Sequence, residues 1–159
     1  HNIGSRVVGE FDKNNKNGQL TLLPPTTLMN RSGEAVGKLV KSKAAVRKLI
    51  VIHDDLDLGL GRFKISFDRG PGGHRGVESI IKKLKTEKFI RLRIGIAPTT
   101  PSGKMRKPKG EDKVVKFILG KFSTREEVVL KKLIPRFLEA LEIISTLGLT
   151  AAMNKFNQV

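Results

Sequence analysis

Three carboxylates and one imidazole fall within five consecutive residues, His53-Asp54-Asp55-Leu56-Asp57. Oxygen-rich clusters of this kind suit Mg²⁺ or Ca²⁺, but the spacing is not that of an EF-hand loop. An acid at the end of a buried strand can instead fix a histidine, selecting its tautomer and stabilising its protonated form. A third interpretation is a loop in which an aspartate caps neighbouring backbone. These residues alone leave the three interpretations open.

A glycine-rich segment, Gly70-Pro71-Gly72-Gly73-His74-Arg75-Gly76, lies between a predicted strand and a predicted helix. It lacks the Lys-Ser/Thr pair of a Walker loop and the glycine spacing of a dinucleotide fingerprint. Its last four residues match the short GXXG of KH domains, but they do not lie between two helices. A glycine loop that opens a helix lets backbone N–H groups approach an anion or an ester oxygen closely. The segment therefore predicts a binding loop.

Two further polar positions are candidates for binding. Asn30 follows a predicted strand together with Leu28 and Met29, and its amide can both donate and accept hydrogen bonds. It is equally suited to a turn or a cap before the next helix. His1 is either a functional imidazole or an accident of where the sequence begins.

Strands and helices alternate along the chain, which predicts an α/β fold. The apolar patterns indicate strands over 6–8, 19–23, 48–53, 61–67 and 90–96, a loop over 54–60, and helices over 32–42, 77–85 and 123–147. We expect a single-domain three-layer sandwich, with a mixed, mostly parallel sheet and helices on both faces. The polar segments 26–32, 53–57 and 70–76 each follow a predicted strand, and sites in such sheets gather at the carboxyl ends of strands.

The charge of the chain indicates an anionic partner. Its 159 residues include 31 Lys and Arg against 15 Asp and Glu, a formal net charge of +16. Ten basic residues and one acid lie between Lys82 and Lys109. A solvated helix face followed by a lysine-rich loop is the ordinary interpretation, but the local shortage of acids favours a phosphate-binding surface. There is no Cys, and no apolar run approaches the roughly 20 residues of a membrane span. The expected partner is a polyanion, either nucleic acid or an anionic membrane surface.

Taken together, the motifs resemble the bacterial-type peptidyl-tRNA hydrolase family, including its mitochondrial and ribosome-associated members. Any one of them is a weak match, but six or more in the family's order are specific. They cover nearly the whole chain: His1–Gly4, Pro25–Gly33, Val51–Asp57, Gly72–Gly76, Arg91–Ile96, Phe117–Gly120 and Ala151–Asn157.

The resemblance implies hydrolysis of the ester that joins a peptide to the ribose of tRNA, with no metal and no cofactor. It implies that His1 is the general base that activates water, and that Asp54 orients His1 and stabilises its protonated form. It assigns substrate binding to residues of two loops: Leu28, Met29, Asn30, His74 and Arg75. It assigns tRNA phosphate to two cations, Lys64 and Arg93.

The chain also departs from the family's pattern. The family has a first strand before the position of His1, and a helix between the segments that Gly4-Ser5 joins. We therefore expect residues 1–159 to form a peptidyl-tRNA hydrolase-like domain that lacks its first strand and an early helix. Arg75 stands where an Asn that contacts the substrate is usual, and an Arg side chain accepts no hydrogen bond. Leu28 replaces a more usual Phe, and Ser66 replaces a basic residue.

These departures keep a second class of function open, a non-catalytic hydrolase-like protein that binds structured RNA as a ribosome component or assembly factor. The charge of +16 suits that role, whereas retention of His1, Asp54 and Asn30 suits an enzyme. The expected partners are peptidyl-tRNA, or ribosomal RNA and ribosomal proteins, and not a membrane. We expect a monomer outside any larger assembly, in the mitochondrion or the cytoplasm.

Overall fold

The sheet at the centre of the molecule is mixed. The computed structural model describes residues 3–14, 20, 21, 23, 29–100 and 102–158. Its strands are β1 (Ile50–Gly59), β2 (Phe63–Phe67) and β3 (Ile90–Ala97), in the spatial order β1-β3-β2. β3 pairs parallel with β1 and antiparallel with β2. This arrangement confirms the predicted α/β class.

Helices cover both faces of the sheet, as the sequence predicted. They are α1 (Ile3–Asn14), α2 (Ser32–Leu39), α3 (Lys43–Lys48), α4 (Arg75–Leu84), α5 (Glu111–Leu119), α6 (Thr124–Thr146) and α7 (Leu149–Phe156). One face packs against α1, α6 and α7 through a core that includes Ile3, Leu92, Phe137 and Phe156. The other face packs against α2, α3 and α4 through a smaller cluster: Val36, Val46, Val77, Ile80 and Phe89.

The side chains of β3 alternate between the two faces of the sheet. Ile90, Leu92 and Ile94 point into the larger core. Arg91 and Arg93 alternate with them, so both guanidinium groups emerge on the opposite face, where they are 1% and 5% exposed. The basic stretch 82–109 is therefore not one continuous surface, because two of its ten cations lie inside the molecule.

The predicted strand over residues 6–8 is wrong, because these residues lie within α1. Ile3 and Val7 are one helical turn apart and both are fully buried, so the apolar side chains follow a helical period. α1 is thus an early helix, at the point where we expected one to be lacking. The expected absence of a first strand stays a prediction.

The predicted loop over residues 54–60 is also wrong over most of its length, since β1 continues to Gly59. Asp54 and Asp55 pair with Ile94 and Gly95 of β3, and the register shifts only between Asp55 and Gly59. Pairing with a buried central strand thus outweighs the low strand propensity of aspartate. The predicted helix over 123–147 is confirmed as α6, which begins with a capping box between Ser123 and Glu126. Within the described residues, no helix is long and apolar enough to cross a membrane.

Candidate active site

Asp54 and His74 meet at the carboxyl half of β1, where the first turn of α4 approaches the sheet. His74 is the N-cap of α4, and its Nδ1 accepts the backbone N–H of Val77 at 3.2 Å. Because Nδ1 accepts a hydrogen bond, the ring proton of the neutral imidazole lies on Nε2. That N–H donates to Oδ1 of Asp54 at 3.3 Å. The contact brings together two of the three polar segments that the sequence predicted to gather at the carboxyl ends of the strands.

The environment of Asp54 keeps its carboxyl ionised. Its side chain is 12% exposed, and burial by itself raises the pKa. The hydrogen bond and the electrostatic interaction with His74 outweigh burial, so the pKa of Asp54 lies below its usual value. A buried anion is suited to orienting an imidazole and to stabilising it once protonated.

His53 is a buried neighbour of this pair. The sequence did not predict its burial or its contact with His74. Its Nδ1 contacts the backbone carbonyl of Asp54 at 2.7 Å, and its ring lies edge-on to that of His74, with centroids 4.8 Å apart. Since a carbonyl only accepts, Nδ1 of His53 carries the proton. Burial, followed by the electrostatic interaction with His74, lowers the pKa of His53 to about 4. The strand alternation that turns Val51 inward could have indicated this burial.

A cleft of about 650 Å³ opens beside Asp54 and His74, and most of its wall is apolar. Met29, in a 3-10 turn over Met29–Arg31, lines it. Gly76 of α4 permits the close approach of that turn, because a Cβ there would lie 2.6 Å from Sδ of Met29. The next residue, Asn30, is exposed and does not line this cleft.

Gly4 of α1 brings the N-terminal helix to the same cleft. A Cβ at Gly4 would lie 2.6 Å from the carbonyl oxygen of Ile52, two residues before Asp54. Two predicted site residues, His1 and Leu28, lie outside the described residues.

Arg75, the residue after His74, does not join the Asp54–His74 pair. Its guanidinium is exposed and donates to Oε1 of Glu111, the first residue of α5, at 2.8 Å. At this position the chain therefore has a surface ion pair that ties the start of α4 to the start of α5.

The two cations predicted to hold phosphate lie opposite each other on β2 and β3 but differ in exposure. Lys64 is exposed. The side chain of Arg93 is 6% exposed, and its Nε donates to Oδ2 of Asp55 at 2.6 Å. Of this pair, Lys64 is the cation open to solvent.

Arg91 has a structural partner instead, the glycine-rich loop. Its guanidinium donates to the carbonyl oxygens of Arg69 and Gly70, the latter at 2.9 Å. These contacts anchor the loop whose far end carries His74.

The acids of segment 53–57 do not converge as metal ligands. Asp54, Asp55 and Asp57 contact His74, Arg93 and Lys107 respectively. Across the part of the chain that the structure describes, no three side chains of His, Asp or Glu are grouped to hold an ion. The geometry instead suits an anion that orients a base beside an apolar cleft.

Comparison with known proteins agrees with this geometry. The family model described as "Peptidyl-tRNA hydrolase" matches residues 1–159. The peptidyl-tRNA hydrolase of Thermodesulfovibrio yellowstonii is 35% identical over 179 residues, covering 100% of this chain and 90% of the relative. The chain belongs to the peptidyl-tRNA hydrolase family.

Other members of the peptidyl-tRNA hydrolase family match less of their own length. The enzyme of Synechococcus sp. (strain JA-2-3B'a(2-13)) is 40% identical over 141 residues, which are 88% of this chain but 59% of the relative. The crystal structure of peptidyl-tRNA hydrolase from Acinetobacter baumannii has a TM-score of 0.80 and 24% identity, covering 99% of this chain and 85% of that one. That structural match supports the fold.

Proposed function

We propose that this chain hydrolyses the ester bond between peptide and tRNA in peptidyl-tRNA. The observation that carries the proposal is the Asp54–His74 contact beside an apolar cleft, in a member of the peptidyl-tRNA hydrolase family. The cleft suits the peptide end of such a substrate, because apolar walls with a few convergent polar groups are typical of ligand sites.

The hydrogen bonds of His74 argue that it is not the base. One ring nitrogen accepts the N–H of Val77 and the other donates to Asp54, so neither is available to take a proton from water. The family motif makes His1 the base, and α1, which follows His1 in sequence, packs against β1 at Gly4. In the proposed reaction His1 takes a proton from water, and the water oxygen attacks the ester carbonyl carbon. The bond to the ribose oxygen then breaks, and that oxygen receives the proton.

Asp54 supplies the electrostatic part of this reaction. Its carboxylate is held ionised, and an anion beside an imidazole stabilises the imidazolium that forms as water is deprotonated. Leu28, Met29 and Asn30 are proposed to hold the substrate's terminal adenosine or peptide end. Lys64 is proposed to contact tRNA phosphate, and Arg93, which is buried against Asp55, is proposed to support it from the neighbouring strand. The proposal needs no cofactor, and its partner is tRNA.

The test is release of the blocked amino acid from N-blocked aminoacyl-tRNA by the full chain. We expect turnover with the wild type and a loss of about 10²- to 10⁴-fold in His1→Ala and Asp54→Asn, the range for a positioned base and its partner. Asp57→Asn is the matched control, because Asp57 contacts Lys107 at the surface. If the wild type binds tRNA without turnover, the enzyme proposal is wrong and the RNA-binding role takes its place.

A further inference from the structure

A second pocket lies on the far side of β2 from the cleft. It is an open hollow of about 320 Å³ between the start of β2, the middle of α6 and the end of α7. Its lining consists of Leu58, Gly61, Arg62, Phe63, Lys64, Arg136, Phe156, Asn157 and Gln158. We refer to it as the β2–α6 pocket.

The charge of the β2–α6 pocket has one sign. Arg62, Lys64 and Arg136 line it, and none of its lining residues is acidic. Within the described part of the chain, none of these three cations forms an ion pair with a carboxylate. The acid one turn along α6 from Arg136 is Glu139, which pairs with Lys155. Three uncompensated cations around one concave surface attract an anion.

Arg136 is held in place by aromatic rings. Its guanidinium carbon lies 5.4 Å from the ring centroid of Phe63 and 6.0 Å from that of Phe156. Both rings are buried, and the ring of Phe63 also packs edge-on against Phe137 with centroids 4.9 Å apart. A guanidinium that rests on fixed rings loses less freedom on binding than a lysine in solvent.

The wall of the pocket beside Arg136 is also fixed. The side-chain amide of Asn157 accepts the backbone N–H of Ile65 at 2.9 Å and donates to its carbonyl oxygen at 2.8 Å. These two bonds satisfy the free edge of β2 as a neighbouring strand would, and they tie the end of α7 to the sheet. The pocket is therefore formed before any ligand arrives.

The pocket connects to the active-site cleft through the sheet. Lys64 lies opposite Arg93 of β3, and Arg93 contacts Asp55, the neighbour of Asp54. β2 and β1 are separated by two strand spacings, roughly 10 Å. An RNA whose reacting end lies at Asp54 can thus extend across the sheet end to the pocket.

We propose that the β2–α6 pocket binds a phosphodiester of the RNA substrate, with Arg136 as the main contact and Arg62 and Lys64 beside it. The proposal rests on the proposed function for the identity of the RNA. It adds Arg62 and Arg136, which none of the sequence motifs indicated, and places them with Lys64 in one anchoring site away from the reacting bond.

The test measures binding of labelled deacylated tRNA at several salt concentrations for the wild type, Arg136→Gln and Arg125→Gln. Arg125 is the matched control, because it is exposed on the same helix and lies three turns away. Loss of one phosphate contact reduces the salt slope by about one. The affinity ratio of wild type to Arg136→Gln should therefore shrink about 3- to 4-fold between 50 and 200 mM salt. Arg125→Gln should keep the wild-type salt slope. Arg136→Lys should have a salt slope close to that of the wild type, because lysine keeps the positive charge.

Equal salt slopes for Arg136→Gln and Arg125→Gln would overturn the proposal. If the melting temperature of Arg136→Gln falls, Arg62→Gln provides the same comparison without altering the contact with the rings. Phosphatidylserine vesicles that bind the wild type more tightly than Arg136→Gln, while both proteins keep the same tRNA salt slope, would indicate a lipid site and also overturn it. Hydrolysis by the wild type is measured in parallel. If the wild type shows no turnover but Arg136→Gln has a smaller salt slope, only the proposed function is refuted. If the wild type shows turnover but the two salt slopes are equal, only this inference is refuted.

Discussion

The imidazole of His74 lies 3.3 Å from a carboxylate oxygen of Asp54, and the same ring caps the first turn of α4. One side chain thus links the position of a helix to the ionisation of a buried acid. Truncation of His74 removes both properties, whereas a substitution that keeps the helix cap separates them.

We expect His74→Ala to raise the pKa of Asp54, because burial remains when the interactions with His74 are gone. The same variant loses the cap of α4, at a cost of about 1 kcal/mol. His74→Asn restores a capping oxygen with a shorter side chain, so stability should recover while the pKa stays raised. Carboxyl ¹³C NMR titration and urea unfolding measure the two effects. An Asp54 pKa that is unchanged in both variants would contradict this account.

His53 should make the free energy of unfolding depend on pH. Between about pH 4 and 6.5 the unfolded chain binds a proton at this residue and the folded chain does not, so stability rises with pH across that window. The full effect is about 3 kcal/mol. In His53→Gln the rise should be smaller by that amount, as measured by urea unfolding at a series of pH values. Identical pH dependence in the two proteins would show that His53 is not the group responsible.

Arg75→Asn should increase hydrolysis. An amide both donates and accepts hydrogen bonds, whereas the guanidinium only donates and contacts Glu111 on the surface. One added hydrogen bond to the substrate or water corresponds to about a 3- to 10-fold gain in kcat. Stability should change by less than about 1 kcal/mol, since the ion pair is exposed. Glu111→Gln breaks the same ion pair without adding the amide. If it raises kcat equally, release of α5 rather than the amide is the cause.

Two glycines of the α2–α4 region should respond differently to alanine. A Cβ at Gly33 would collide with the backbone carbonyl of Ser79, which cannot move aside, so Gly33→Ala should cost about 1–3 kcal/mol. At Gly76 the main obstacle is the flexible end of Met29. Gly76→Ala should keep most of the stability but raise KM by displacing Met29 in the cleft. Thermal melting and steady-state kinetics distinguish the two, and equal losses of stability would contradict the difference.

Local sequence determined much of the fold. The apolar period of β3, the capping box at Ser123 and the glycine that opens α4 each identified an element, because periodicity and caps depend on neighbours within a few residues. The strand predicted over 6–8 failed for a related reason. A run of three residues is too short to show whether the repeat from Ile3 to Val7 is helical or extended.

Sequence motifs also identified Asp54, Met29 and His74 as site residues, since each stands in a polar segment that follows a predicted strand. Tertiary structure alone decided what each polar side chain contacts. Asp54 contacts His74, 20 residues away in the sequence, and Asp55 contacts Arg93, 38 residues away. The pocket at Arg136 likewise exists only because β2, α6 and α7 meet there. Strand alternation states which face a side chain occupies, but burial and hydrogen-bond partners depend on elements distant in the chain, and these set both the pKa values and the pockets.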